Sequence, residues 1–271
     1  MTILNRTAEL EVKDRGQTVN IKNRLVFDVV KDDYSFANKM NISIYNISNS
    51  TNAFIQSETC VYSLWVGYEY SQPLRLLFRG KRHPINGTHT ERDGSDIITK
   101  LECGDGEQIL KTTVLSSFVN RVSTEEILRV YLNIFLANQV FLEYISENID
   151  HKFFNNGFTF QGDLRTAMDG LGAICKIDWS IQDGGLIVLS EKEIYQRPVE
   201  ITPEQGILGS VVKSRNKIEF TTYVNPELRI GKGVDLQSRT IGDAALKLVR
   251  VNHVGDSREG VWESRCEGLL L

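Results

Sequence analysis

The sequence predicts a mainly β protein with a smaller α+β part. Short β-branched and aromatic segments separated by Gly, Asn and Asp fill both ends of the chain. Near Ser123 the hydrophobic period changes from that of strands to that of a helix. Because 271 residues exceed the usual size of one domain, we expect three modules, with limits at 1–120, 121–195 and 196–271.

Three segments near the N-terminus have the composition of strands, at residues 25–30, 41–47 and 60–68. The third is apolar on both faces, so we expect both of its sides to be covered. Asn and Ser at residues 49–52 are typical of a loop.

Two further strands complete the first module. Residues 97–103 run into a Gly-Asp-Gly turn at 104–106, and a strand is expected at 112–118. The residues from His83 to Asp96 are predicted to form a polar, solvated loop between strands.

Two helices and a hairpin are predicted for the middle module. The sequence STEE from Ser123 has the form of a capping box, and the apolar residues that follow lie at helical spacing. A shorter helix is expected over residues 163–172, with Gly172 as its C-cap. Residues 175–181 and 186–189 flank the turn at 183–185, as in a β-hairpin.

The C-terminal module is β-rich again. Strands are predicted at residues 207–212, 217–224, 233–236, 246–251 and 261–266, a number that suits a small barrel. In the strand at 246–251, the alternation of apolar residues shifts by one position, so apolar side chains fall on both faces. This predicts a bulge or burial of both faces. Pro226 cannot donate a ladder hydrogen bond, so pairing is expected to pause there.

The composition excludes several classes of function. The chain has 31 Lys and Arg against 35 Asp and Glu, a formal charge of −4. It lacks the basic excess that drives non-specific binding to phosphate backbones, so DNA is expected to be a neighbour rather than a tight ligand.

Neither export nor membrane insertion is expected. No secretory signal is visible at the N-terminus, and charged and amide residues interrupt the most apolar segment, at 128–145. The four cysteines are widely spaced, which favours reduced thiols in a protein made in the cytosol.

Motifs for common chemistries are missing from the sequence. Around Gly231-Lys232, Pro226 stands where a Walker loop needs its first glycine, and no nucleophile elbow or zinc-helix motif occurs. A metal site would have to be built from residues near one loop, namely His83, His89, Asp93 and Asp96. We favour the solvated loop, and predict neither a metal, a cofactor nor a catalytic residue.

Carboxylate pairs leave one enzymatic alternative open. Glu102 with Asp105, or Asp163 with Asp178, could hydrolyse glycans if they met in space. The competing roles are a turn for Asp105 and a helix start for Asp163. Tryptophans could provide a sugar platform, although a place in the core is favoured for each: Trp65, Trp179 and Trp262.

The order and spacing of several motifs resemble the baseplate hub proteins of contractile-tailed bacteriophages, which join the tail tube to the central spike. The resemblance covers most of the chain beyond residue 20. Its motifs are IYNI at 44–47, LLFRG at 76–80, DIITKLECGDG at 96–106, FTFQG at 158–162, DW at 178–179, QDGGLIV at 182–188, TPEQGILG at 202–209, VNPELRIG at 224–231, VNHVGD at 251–256 and VW at 261–262.

This resemblance implies two tail-tube-like β-barrel domains, at 1–120 and 196–271, in a homotrimeric ring around a DNA channel. Three chains with two similar barrels each would present six units to a sixfold tube and three to a threefold spike. The implied partners are a tube or tube-initiator protein on one side and a trimeric spike protein on the other, with DNA passing through transiently.

The resemblance also implies a place in the virion tail baseplate after synthesis in the host cytoplasm, and a role that is not enzymatic. Two alternatives stay open. One is another tube-like tail component, such as a distal tail protein or tube initiator. The other is a glycan-binding or glycan-hydrolysing tail protein.

Overall fold

A computed structural model of the chain describes residues 5–33, 37–69, 73–84 and 87–271. Most of them lie in β-strands, and the helices are few and short, so the predicted mainly β class with a smaller α+β part is confirmed. None of the helices in these ranges is long and apolar enough to cross a membrane.

The first part of the chain is almost entirely strand. Its elements are β1 (Arg6–Asp14), β2 (Gln17–Ile21), β3 (Leu25–Asp32), β4 (Lys39–Tyr45), α1 (Asn49–Phe54), β5 (Val61–Tyr68), β6 (Arg75–Arg82), β7 (Thr88–Asp93) and β8 (Asp96–Gly104). Burial alternates along β3, with Leu25, Phe27 and Val29 in the core.

Two loop predictions in this part are wrong. Residues 49–52 lie in helix α1, because the side chain of Ser48 accepts a hydrogen bond from the Thr51 amide (3.1 Å) and caps the helix start. Residues 88–93, expected in a polar loop, form strand β7 and pair with β8. Strand β7 is mostly exposed, so its sequence lacks the apolar alternation that marks a strand with one face in a core.

The middle part contains both longer helices. Its elements are α2 (Glu107–Leu110), β9 (Thr113–Phe118), β10 (Val122–Ser123), α3 (Thr124–Ala137), β11 (Phe141–Ile145), β12 (Phe153–Phe154), β13 (Phe158–Asp163), α4 (Leu164–Cys175), β14 (Ile177–Gln182) and β15 (Gly185–Ser190). The predicted capping box is present at Ser123 and Glu126, and the predicted hairpin is β14–β15.

Gly172 does not cap the second helix. Helix α4 continues to Cys175, and Lys176 takes the left-handed conformation after it, with φ of 55°. A Cβ atom on Gly172 would lie 2.7 Å from the carbonyl oxygen of Ile177. Glycine is therefore needed here for the close approach of α4 to β14 and not for chain reversal.

The last part of the chain is again built from strands. Its elements are β16 (Tyr195–Ile201), a 3-10 turn (Pro203–Gln205), β17 (Ile207–Ser214), β18 (Lys217–Tyr223), β19 (Lys232–Ser238), β20 (Gly242–Asp256) and β21 (Trp262–Leu270). The predicted bulge is found in β20, whose register against β21 shifts between Leu248 and Arg250. Strand β16 was not predicted; it contains Pro198 and, among the strands of the described ranges, pairs with β19 alone, in parallel.

A 14-stranded sheet joins the two ends of the chain. Its main path runs β17-β18-β21-β20-β3-β4-β8-β6-β5-β1-β2. The long strand β20 makes the connection, because its first half pairs with β19 and its second half pairs with β3. Hydrogen bonding is therefore continuous between the N-terminal and C-terminal strands.

Three main apolar cores lie on this framework. The first is formed by strands β1 to β6 and β8, the second by α3, α4 and the β14–β15 hairpin, and the third by strands β16 to β21. Val224 and Trp262 come from the last part of the chain but are buried in the first core. The domain limits at residues 120 and 195 stay a prediction.

Candidate functional site

The tip of the β14–β15 hairpin lies at the meeting point of the cores. Asp183 and Gly184 form its two-residue turn, both with positive φ (58° and 85°). The Asp183 carboxylate is buried and lies 2.8 and 2.7 Å, through its two oxygens, from Nζ of Lys31. One of these oxygens also accepts a hydrogen bond from the Arg79 amide (3.0 Å). The middle module thus reaches two strands of the first sheet region, β3 and β6.

Lys31 is placed at this tip by the alternation of β3. It follows Leu25, Phe27 and Val29 in the inward phase, and only 2% of its surface is exposed. A buried ammonium requires a partner of opposite charge, and Asp183 provides it.

Asp105 extends the network from the turn after β8. Its carboxylate accepts hydrogen bonds from the Asn38 amide (2.9 Å), the Asn38 side chain (3.0 Å) and the Asp183 amide (2.9 Å). The Asn38 side chain also donates to the carbonyl oxygen of Ile181 (2.8 Å). The turn predicted at residues 104–106 is therefore fastened to the hairpin tip.

Arg229 and Glu143 continue the network into the last part of the chain. The Arg229 guanidinium makes two contacts with Glu143, at 2.8 and 3.1 Å, and lies 3.6 Å from Asp183. The Tyr195 hydroxyl donates to Glu143 at 2.7 Å. We call Lys31, Asn38, Asp105, Glu143, Asp183 and Arg229 the junction network.

Burial changes the protonation of groups in and beside the junction network. Burial, together with the charge of Asp183, raises the pKa of Asp105 to about 7. Close by, burial and the charge of Lys31 lower the pKa of His253 to about 3. The His253 ring, with Nδ1 2.8 Å from Oγ of Ser264, is therefore neutral at physiological pH.

The network can fix the arrangement of the cores. Removing one partner from a buried ion pair leaves an uncompensated charge, at a cost of about 3–5 kcal/mol. The Lys31–Asp183 pair therefore makes each of the two residues dependent on the other for burial, one from β3 and one from the hairpin tip. A second ion pair also joins the middle part of the chain to the last part. In it, Nζ of Lys247 on β20 lies 2.6 Å from the Asp178 carboxylate on β14.

The carboxylates considered for glycan hydrolysis have separate structural contacts. Asp105 is in the junction network, Asp178 binds Lys247, and Asp163 accepts a hydrogen bond from the Thr166 amide (2.8 Å) as the N-cap of α4. Glu102 lies near the end of β8, opposite Asn41 of β4 and three residues before Asp105. Asp163 and Asp178 lie on different elements, at the start of α4 and on β14.

The residues considered for a metal site also have different partners. Nε2 of His83 lies 3.4 Å from Glu107, and that of His89 lies 3.5 Å from Glu91. Asp96 accepts a hydrogen bond from Asn46 (2.8 Å). Across residues 5–33, 37–69, 73–84 and 87–271, His, Cys, Asp and Glu form no group of three or more that could hold a metal ion.

Two of the three tryptophans lie in cores, as predicted. The Trp262 ring meets Phe27 edge to face, with centroids 5.4 Å apart, and Trp179 donates to Asp169 (3.0 Å). Trp65 on β5 is only partly buried. All four cysteines are buried free thiols.

Most members of the junction network were not singled out from the sequence. Lys31 could have been found, because a charged residue in the inward phase of an apolar strand needs a buried partner. Arg229 and Glu143 lie in segments without any such pattern, so their pairing gives no local signal.

Comparison of the sequence with protein-family models finds no match, and a search of curated proteins finds none either. Comparison of the fold with solved structures gives several matches. One is a tail protein from Neisseria meningitidis, with a TM-score of 0.66 and 11% identity over 97% of this chain and 96% of that one. The chain has the fold of phage tail proteins.

The tail-protein fold is also found in two other solved structures. The 43 kDa tail protein of prophage MuSo2 from Shewanella oneidensis matches with a TM-score of 0.67 and 8% identity over 97% of both chains. An E. coli component of the type VI secretion system, similar in structure to the T4 tail proteins gp27 and gp5, matches with a TM-score of 0.65 and 11% identity. That match covers 96% of this chain and 76% of the E. coli protein.

Proposed function

We propose that the chain is a structural component of a phage tail baseplate, a hub that forms a homotrimeric ring between the tail tube and the spike. The observation that carries this proposal is the pair of β cores, one at each end of the chain, joined by β20 in one sheet. Three copies of a chain with two β units present six units in a ring, which suits a sixfold tube on one side. The threefold symmetry of the chains themselves suits a trimeric spike on the other side.

A closed ring of this kind needs heterologous contacts between neighbouring chains. Strands β2 and β17 end the main strand path, and each leaves one edge without a strand partner among the described residues. Such edges can pair with a neighbouring chain, which would also remove them from solvent. The junction network supports this role, because a ring closes only if the units within each chain keep one relative orientation.

The proposed role is not enzymatic and places the protein in the tail baseplate of the virion, after synthesis in the bacterial host cytoplasm. Three of the four carboxylates of the glycan alternative have structural contacts: Asp163 caps a helix, Asp178 is an ion-pair partner and Asp105 belongs to the junction network. A net charge of −4 suits a ring that lines part of a DNA channel, since tight phosphate contacts would slow DNA passage. We retain the domain limits 1–120, 121–195 and 196–271, with tube-like barrels at both ends.

Mass and symmetry test the proposal. Light scattering combined with cryo-electron microscopy of the purified protein, alone and with its tube and spike proteins, should give three chains per ring and six similar lobes around a channel. A ring of six chains would instead support a tube or distal tail component. Release of reducing sugars from bacterial cell wall, lost in Glu102→Ala or Asp163→Ala, would support the glycan alternative and overturn the structural role.

A further inference from the structure

A cleft opens beside the junction network, on the outer side of the hairpin tip. Its volume is about 420 Å³. Three segments form most of its lining: the end of β6 with the residues after it (79–84), the turn and start of α2 (104–109), and the turn between α3 and β11 (137–141). Val61 and the hairpin tip, Asp183 and Gly184, complete it. This size is typical of sites that take a small ligand or a few side chains of a partner.

Unpaired positive charge lines one wall of the cleft. Arg79 and Lys81 are exposed, and no carboxylate of the described residues lies within ion-pair distance of either. One guanidinium nitrogen of Arg82 donates to Thr88 (3.4 Å), but its Nε is buried and has no hydrogen-bond partner in the described part of the chain. This wall therefore offers a ligand the cationic side chains of Arg79 and Lys81, whereas the Arg82 guanidinium is directed to Thr88 and its Nε is buried.

The acidic residues of the cleft do not neutralise that wall. Asp105 and Asp183 are buried in the junction network. Glu107 binds Lys111 (2.8 Å) and lies 3.4 Å from His83. The charge that a ligand meets in the cleft is therefore positive, although the whole chain is acidic.

The opposite wall adds amide and apolar groups. Asn138 and Gln139 are exposed at the turn after α3, and Phe141 begins β11 with 49% of its surface exposed. An aromatic side chain left exposed beside a cationic cleft can cover an apolar residue of a bound segment.

We propose that this cleft binds an acidic segment of a partner protein, with Asp or Glu carboxylates against Arg79 and Lys81 and an apolar side chain against Phe141. Charge-assisted hydrogen bonds to arginine are strong and directional, which suits carboxylate recognition. Duplex DNA is a less suitable ligand, because a rigid double helix is too wide to enter a cleft of about 420 Å³. This binding does not depend on whether the chain forms a threefold ring.

Fluorescence anisotropy of the full chain with a fluorescein-labelled peptide of alternating glutamate and leucine tests the proposal. The double variant Arg79→Ala/Lys81→Ala should bind the peptide about tenfold more weakly, because two charged hydrogen-bond partners are lost. Phe141→Ala should also weaken binding. The control is Lys213→Ala, an exposed β17 lysine outside the cleft, which removes positive charge and should leave the affinity unchanged. The affinity should fall as salt is added.

Three results would overturn the proposal. They are the absence of peptide binding to the wild-type chain, equal binding by wild type and the Arg79/Lys81 double variant, and a short labelled DNA duplex that binds more tightly and displaces the peptide. Melting temperatures of the variants would show that each is folded. A trimer that fails to bind the peptide would contradict the cleft assignment alone, and a peptide-binding chain that forms no ring would contradict the hub assignment alone.

Discussion

Lys31 and Asp183 form a buried ion pair across 152 positions of the chain, with Nζ 2.8 and 2.7 Å from the two carboxylate oxygens. Lys31 belongs to a strand of the N-terminal sheet region and Asp183 to the hairpin tip of the middle part. Both side chains are almost completely buried, at 2% and 6% exposure. The pair therefore joins two cores through charges that are almost completely buried.

Loss of Lys31 should destabilise the protein strongly. Lys31→Met leaves Asp183 buried beside Asp105 with Arg229, at 3.6 Å, as its remaining cationic neighbour, so we expect the free energy of unfolding to fall by about 3 kcal/mol, the lower end of the cost of removing one partner from a buried pair. Urea denaturation, monitored by tryptophan fluorescence, measures this free energy of unfolding. The control Lys13→Met removes a lysine whose side chain is 55% exposed, and should change stability by no more than about 0.5 kcal/mol. Equal stability of the two variants would contradict a structural role for the junction network.

Asp105 should make stability fall as the pH rises. Its pKa is about 7 in the folded chain, because of burial and the Asp183 charge, against about 3.9 in an unfolded chain. Between about pH 4 and pH 7 the folded state holds a proton that the unfolded state has lost, so stability decreases with pH by at most about 1.4 kcal/mol per unit. Asp105→Asn lacks this contribution. Any stability advantage of the wild type over this variant near about pH 4 should therefore shrink or reverse by about pH 7. Asp93→Asn, at an exposed position of β7, should retain the wild-type slope.

His253 should make stability fall as the pH is lowered, opposite to the effect of Asp105. Burial and Lys31 lower its pKa to about 3, whereas an unfolded histidine titrates near about 6.5. The unfolded state therefore binds more protons between those values, and stability is lost as the pH falls below about 6.5. The advantage of wild type over His253→Gln should decrease on acidification, as measured by urea unfolding at several pH values. His89→Gln, at a side chain that is 66% exposed, should follow the wild-type curve.

Two glycines of α4 should respond in opposite ways to alanine. A Cβ on Gly170 meets nothing within 4 Å, so Gly170→Ala should raise stability by about 1 kcal/mol through helix propensity. A Cβ on Gly172 would lie 2.7 Å from the Ile177 carbonyl oxygen, so Gly172→Ala should lower stability by about 1–3 kcal/mol. Thermal unfolding by circular dichroism measures both. A stabilising Gly172→Ala would show that the α4–β14 contact is looser than the geometry indicates.

Elements specified by neighbouring residues were predictable. The capping box at Ser123, the start of α4 at Asp163 and the turn at Asp183 each depend on residues within a few positions, and all three are present. Elements whose sequences carry mixed signals were missed. Ser48 and its neighbours suit a loop as well as a helix cap, and the exposed strand β7 has no apolar alternation.

The sequence by itself determined the mainly β class, the change to helical structure at Ser123 and the bulge in β20, because periodicity and caps are local properties. Only the tertiary structure decided that β20 pairs with both β19 and β3, and that Lys31, Asp183 and Arg229 meet. Pairing between distant segments depends on which surfaces the packed cores bring together. A lysine in the inward phase of β3 signals that a partner is needed, but packing alone selects Asp183.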